Sequence, residues 1–130
     1  MTQAVQLDQA EVELFRDNVR KFFEKEVAPF YDQWEKDEIT PREIWNKMGE
    51  NGLLCVDVPE EYGGFGANFR LSSIVVEEAS RMGFSGLASN LSVHSDIVAP
   101  YILHLGSEEQ KQTWLPKMVS GEAVGAIGMT

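Results

Sequence analysis

The chain is poor in cysteine and in positive charge, and it holds no long uninterrupted apolar run. A single cysteine, Cys55, excludes an intrachain disulfide and a thiolate cluster for a metal. Eleven Lys and Arg against 21 Asp and Glu give a formal charge of −10, so the surface repels a polyanion and duplex binding is set aside. The best membrane-span candidate, residues 87–105, is interrupted by Asn90, His94, Asp96, Pro100 and His104, and reads as a buried soluble helix. Asp8, Glu11, Glu13 and Asp17 deny the first thirty residues the apolar centre of a secretory signal and the acid-poor character of a transit peptide. What remains, 43% apolar and 25% charged in 130 residues, describes one globular core and excludes disorder and fibrous repeats.

The apolar spacing predicts an all-α domain of five to six helices. Val12, Phe15, Val19, Phe22, Phe23 and Val27 form one stripe. Asp8 and Glu11 can build a capping box before it, with Leu7 stapled onto Val12. Phe30 and Trp34 keep the phase beyond Pro29, which predicts a kink rather than a stop. Thr40, Pro41 and Glu43 announce a second helix as cap, first turn and capping-box acid, with Ile39 stapled onto Ile44 and an end at Gly49 or Gly52. The stretch 53–68 reads as a loop whose apolar start enters the core. A third helix runs from about Leu71 to Gly83, and a fourth, the most buried, from Leu87 to Leu105. A fifth opens on Ser107 and Gln110, turns Trp114, Leu115 and Met118 inward, is shortened or bent by Pro116, and ends at Gly121. The segment 123–130 changes to small, β-compatible residues and reads as a strand separated from its sheet, so the domains are 1–122, helical, and 123–130, the first strand of a missing β-domain.

The chemical candidates are few. Gly63, Gly64 and Gly66 serve turn geometry better than a phosphate cradle, because no Lys-Ser or Lys-Thr follows and Glu60 and Glu61 are adjacent. His94 and His104 are nearly three helical turns apart and cannot share a metal ion. A His94 held by neighbouring hydroxyls outweighs a His94 acting as general base. Cys55 reads as an inert buried thiol, and Glu77 and Glu78 as surface or capping charges. Composition and periodicity leave open a stand-alone helical module that binds lipid or a protein partner.

Three stretches carry a more specific reading. PEEYGGFG (59–66), LGSEEQKQTWLPKMVSGE (105–122) and AIGMT (126–130) resemble, in order and spacing, the acyl-CoA dehydrogenase family. SNLSVHSDIVAPYILHLGSEEQ (89–110) is most similar to its long-chain members. The resemblance implies the N-terminal helical domain of an FAD-dependent oxidoreductase that also has a β-domain and a C-terminal helical bundle. The reaction implied is α,β-dehydrogenation of a fatty acyl-CoA thioester in β-oxidation, with electron-transferring flavoprotein as the electron acceptor. Met129 and Thr130 match cofactor-binding positions, and Ser89, Asn90, Val93, His94 and Ile97 match the helix lining the acyl pocket. No catalytic residue carries over, because the family's catalytic carboxylate lies beyond Thr130. The 130 residues alone are therefore expected to be inactive and free of FAD. The intact protein is expected to be a homo-oligomer, a tetramer, located in a bacterial cytoplasm or a mitochondrial matrix. Apolar faces left uncovered would favour a dimer of the fragment.

Overall fold

Helix α1 (Gln9–Glu26) begins where the capping box requires: in the computed structural model, which describes residues 7–130, Asp8 accepts from the Glu11 N–H at 2.9 Å and Glu11 accepts from the Asp8 N–H at 3.0 Å. The first six residues of the expected 1–122 domain lie outside the described residues. The helix stops before Pro29 instead of kinking through it. Ala28 N–H donates to Phe23 O at 2.8 Å in a widened last turn, and the chain restarts as α2 (Tyr31–Asp37). A proline ring collides with the carbonyl four residues earlier, and here a turn removes that conflict.

Helix α3 (Arg42–Glu50) starts one residue later than its sequence suggests. Pro41 occupies the cap position and no side chain caps the helix, so Thr40 lies one step too far out for a capping box. Ile39 is 70% exposed and does not staple the helix start. The loop then tucks Leu53, Leu54, Cys55, Val56 and Val58 into the interior, as expected, and makes a short 3₁₀ turn at Glu60–Tyr62. Gly63 and Gly66 have positive φ, and a Cβ on Gly64 would stand 2.0 Å from the Val58 carbonyl oxygen. The glycines there serve the backbone geometry of the turn.

Helix α4 (Phe69–Arg81) is capped by Asn68, and α5 (Ser85–Ser92) continues through a π-helical turn, Val93–Val98, into α6 (Ala99–Leu105). The buried residues of this long rod, Leu87, Ala88, Leu91, His94, Ser95 and Ala99, all precede Pro100; towards its end Leu105 is 77% exposed. Helix α7 (Glu108–Ser120) opens on the Ser107/Gln110 capping box, passes through Pro116 without ending, and closes at Gly121 in the left-handed region. Leu115 and Met118 face inward, but Trp114 is 48% exposed and does not join them.

Counting α5, the π turn and α6 as one rod, the described residues form six helices and no strand; residues 123–130 make no sheet pairing among them. The larger core packs Val19, Phe22 and Phe23 of α1 against Val75 and Ala79 of α4 and Leu87 and Leu91 of α5, with Phe23 edge-on to Phe84. Burial of each such large side chain stabilises the fold by about 1.5–3 kcal/mol. A second core joins Cys55, Val58 and Tyr62 of the loop to Ala99, Leu115 and Met118. Helices α3 and α7 cross on glycines: a Cβ on Gly49 would stand 2.1 Å from Ser120 O, and one on Gly121 would stand 2.1 Å from Trp45 O. Among the described residues no helix is long and apolar enough to cross a membrane.

Candidate functional site

After α7 the chain runs back over the π-helical turn. Arg42 Nη1 donates to the Gly121 carbonyl at 2.8 Å and Nη2 donates to the Glu122 carbonyl. Gly125 N–H donates to His94 Nδ1 at 2.9 Å. A Cβ on Gly125 would come within 2.9 Å of the Val98 side chain, so the approach needs a glycine.

Residues 124–126 then form a wall shared by two grooves. One, of about 490 Å³, is bounded by Ile39, Thr40, Trp45, Asn90, Val93 and Val124–Ile127, with Glu38 the carboxylate on its lining. The other, of about 560 Å³ and largely apolar, lies between α6 and α7 and is lined by Val98, Tyr101, Ile102, Leu105, Trp114 and Met118 together with 123–126. Pockets of this size and character suit an acyl chain or another elongated apolar ligand.

The five expected pocket residues do not share one surface. Asn90 and Val93 meet in the first groove, whereas Ile97 lines a separate depression with Asp96, Pro100, Tyr101 and His104. Ser89 is exposed on α5. His94 is 0% exposed and is held by two backbone groups, not by the neighbouring hydroxyls: its Nε2 pairs with Met118 O at 2.9 Å and its Nδ1 with Gly125 N–H. The π turn explains the departure of Ile97, because its wider i→i+5 winding shifts that residue out of phase with Asn90 and Val93. Ile39, Trp45 and residues 124–127 complete the groove, and the sequence does not mark them as site residues. The one available signal is Ile39, an apolar residue outside any helical stripe between two polar neighbours.

Electrostatics around the rod separate inert groups from responsive ones. Burial pushes His94 below the ordinary histidine value; its bond to the Met118 backbone opposes that shift, and nearby Arg42 adds to it. Since Nδ1 accepts from Gly125, the proton sits on Nε2, which donates to Met118 O. Such a histidine is a structural tie with no lone pair left for a general base. Burial also raises Asp96, while a 2.5 Å hydrogen bond from Ser72 Oγ opposes the shift, and burial raises Asp57. Burial pushes the Cys55 thiol up to about 12, which disfavours the reactive thiolate; separately, its backbone N–H donates to Ser95 Oγ at 3.0 Å. Among the described residues no cluster of three groups could hold a metal ion.

Glu78, expected at the surface, has a side chain that is 1% exposed and bonds to Arg16 and Arg20 across the α1/α4 interface. Burial alone would raise its carboxyl, but the two arginines outweigh that and hold it below the usual range. This cluster binds two helices together and lies away from the grooves.

Residues 126–130 form no hydrogen bond among the described residues, and Met129 is 82% exposed. Their backbone N–H and C=O groups and the Thr130 hydroxyl are available to a polar ring system such as a flavin, so this short segment fits the cofactor the resemblance implies.

Residues 9–122 match the acyl-CoA dehydrogenase N-terminal domain. The chain is 44% identical over 121 residues to the mitochondrial long-chain specific acyl-CoA dehydrogenase of Sus scrofa, covering 93% of this chain and 28% of that protein. A crystal structure of acyl-CoA dehydrogenase from Geobacillus kaustophilus superposes with a TM-score of 0.85 at 50% identity, covering 94% of this chain and 31% of that one. An acyl-CoA dehydrogenase complexed with FAD from Bacillus anthracis superposes at 0.80 with 32% identity, over 92% of this chain and 20% of that one. The chain thus spans less than a third of each of these three proteins.

Proposed function

Because this chain belongs to the acyl-CoA dehydrogenase family, and matches it in the N-terminal domain, we propose that it forms one wall of the acyl pocket of an FAD-dependent dehydrogenase of fatty acyl-CoA thioesters. The observation that carries this reading is the course of residues 124–127 along the groove holding Asn90 and Val93, which sets Met129 and Thr130 close along the chain from that groove.

In this reading Ile39, Trp45, Val93 and Ile127 bury the methylene chain, each CH₂ removed from water contributing about 0.8 kcal/mol. Asn90 marks the polar side of that wall, and the backbone at 129–130 offers hydrogen-bonding groups to the flavin. FAD, when bound, supplies the hydride acceptor for α,β-dehydrogenation. The carboxylate that removes the α-proton is assigned outside these 130 residues. In support of this, Glu78 is ion-paired far from the groove and Asp96 accepts from Ser72. Glu38, the carboxylate on the groove lining, is an exposed residue at the C-terminal end of α2. Electron-transferring flavoprotein as acceptor, a homo-oligomeric intact enzyme, and a bacterial-cytoplasmic or mitochondrial location belong to the same proposal.

The test is direct. The purified 130-residue chain is expected to be colourless and to reduce no artificial acceptor when given acyl-CoA. A yellow preparation that turns over acyl-CoA would overturn the division of labour proposed here.

A further inference from the structure

We propose that His94 is a positioning residue: as the neutral Nε2–H tautomer it clamps Gly125 and so fixes the path by which residues 126–130 leave the helical domain.

The clamp has four parts. His94 stands between two backbone groups seven residues apart, donating from Nε2 to Met118 O and accepting at Nδ1 from Gly125 N–H, each at 2.9 Å. A buried ring that uses both nitrogens in this way has one permitted tautomer and one orientation. The Trp45 indole, edge-on at a centroid distance of 5.3 Å, closes the side of the ring. Arg42 then secures the turn between the two tied points by donating to the carbonyls of Gly121 and Glu122. At Gly125 itself the missing Cβ lets the backbone lie against Val98.

Past this point no hydrogen bond restrains the chain among the described residues, so the direction set at Gly125 is the last one the helical domain imposes. The consequence for Met129 and Thr130 as flavin contacts rests on the proposed function above; the clamp itself does not.

Two variants separate this role from simple core packing. In H94N the amide oxygen falls near the Nδ1 position and keeps the Gly125 acceptor. In H94Q the amide nitrogen falls near Nε2 and keeps the Met118 donor while losing the Gly125 bond. Amide hydrogen exchange of the full 130-residue chain should show Gly125 exchanging about tenfold faster in H94Q than in H94N, the effect of one lost hydrogen bond. Equal Gly125 exchange in the two folded variants would overturn the clamp. The unsubstituted chain gives a second readout that holds even if both variants fail to fold. Imidazole nitrogen spectra above the histidine titration should show His94 with Nε2 protonated and Nδ1 bare. A His94 protonated on Nδ1, or averaging between tautomers, would overturn the assignment. Either contrary result leaves the acyl-CoA reading standing, because that reading is tested by turnover.

Discussion

Arg16 Nη1 donates to Glu78 Oε1 at 3.0 Å, joining the first long helix to the fourth through a carboxylate that solvent barely reaches. Arg20 reaches the same carboxylate from one turn further along α1. Removing one arginine leaves Glu78 the other, whereas removing both leaves the buried carboxylate only the exposed Arg81, at 3.8 Å. The double variant R16A/R20A should therefore lose about 3–5 kcal/mol and each single variant clearly less, as measured by denaturant unfolding. Additive single-variant losses would contradict a shared carboxylate.

The same carboxylate sets an acid limit. Its pKa is lower in the folded chain than in the unfolded one, so the unfolded state binds more protons in acid and stability falls as pH is lowered. The contribution is fully present above the ordinary value of 4.5 and is lost as pH falls through the depressed folded value. Unfolding midpoints between pH 6 and pH 3 should fall more for the native chain than for E78Q.

His94 acts in the same direction at a higher pH. Folding depresses its pKa from the ordinary 6.5, chiefly by burial, with Arg42 the charged group facing it. The unfolded chain again takes up the extra proton, so this contribution is complete above 6.5 and drains away as pH falls towards the folded value. The loss should appear in urea titrations of the native chain between pH 7 and pH 5 and be absent from H94N.

Two glycines with nearly equal positive φ should respond very differently to alanine. Nothing at Gly83 lies within 4 Å of the place a Cβ methyl would take, so G83A costs only backbone strain, about 1 kcal/mol. At Gly121 the methyl would meet the Trp45 carbonyl at 2.1 Å, and either α3 or α7 must move. G121A should lose several times as much stability as G83A, or fail to accumulate folded, which thermal melts of the two variants compare directly.

Cys55 supplies a probe of the second core. Buried and pushed up to about 12, its thiol should ignore a thiol reagent in the native chain at pH 8 and react at once in denaturant. Rapid native labelling would mean that the loop 53–58 opens readily.

The legible parts of this fold are those encoded locally. The boxes at Asp8/Glu11 and Ser107/Gln110 and the stop at Gly121 are short-range patterns that need no tertiary information. Three features are not legible locally: two depend on distant partners and one on a change of winding. Glu78 is buried because α1 brings Arg16 and Arg20 to it from some sixty residues away in the chain. His94 is tied by α7 and by Gly125, neither of which its own neighbours reveal. The π turn at 93–98 carries Ile97 away from the groove that Asn90 and Val93 reach, because a one-residue change of winding has no signature in apolar spacing. Ile39 and Thr40 look like helix-start residues in sequence, and the delayed start of α3 frees them to line the groove.

In the function proposed above, this domain supplies an acyl-pocket wall to a flavin enzyme. Joining residues 1–130 to the remaining portion of the Geobacillus kaustophilus relative with which it shares 50% identity, and measuring flavin absorbance as acyl-CoA is added, puts that role to the test. The expected product is a yellow chimera whose flavin bleaches with fatty acyl-CoA, and a V93W form that keeps its flavin but bleaches only with shorter acyl chains. A chimera that holds flavin fully and bleaches identically with and without the tryptophan, at every chain length, would contradict it.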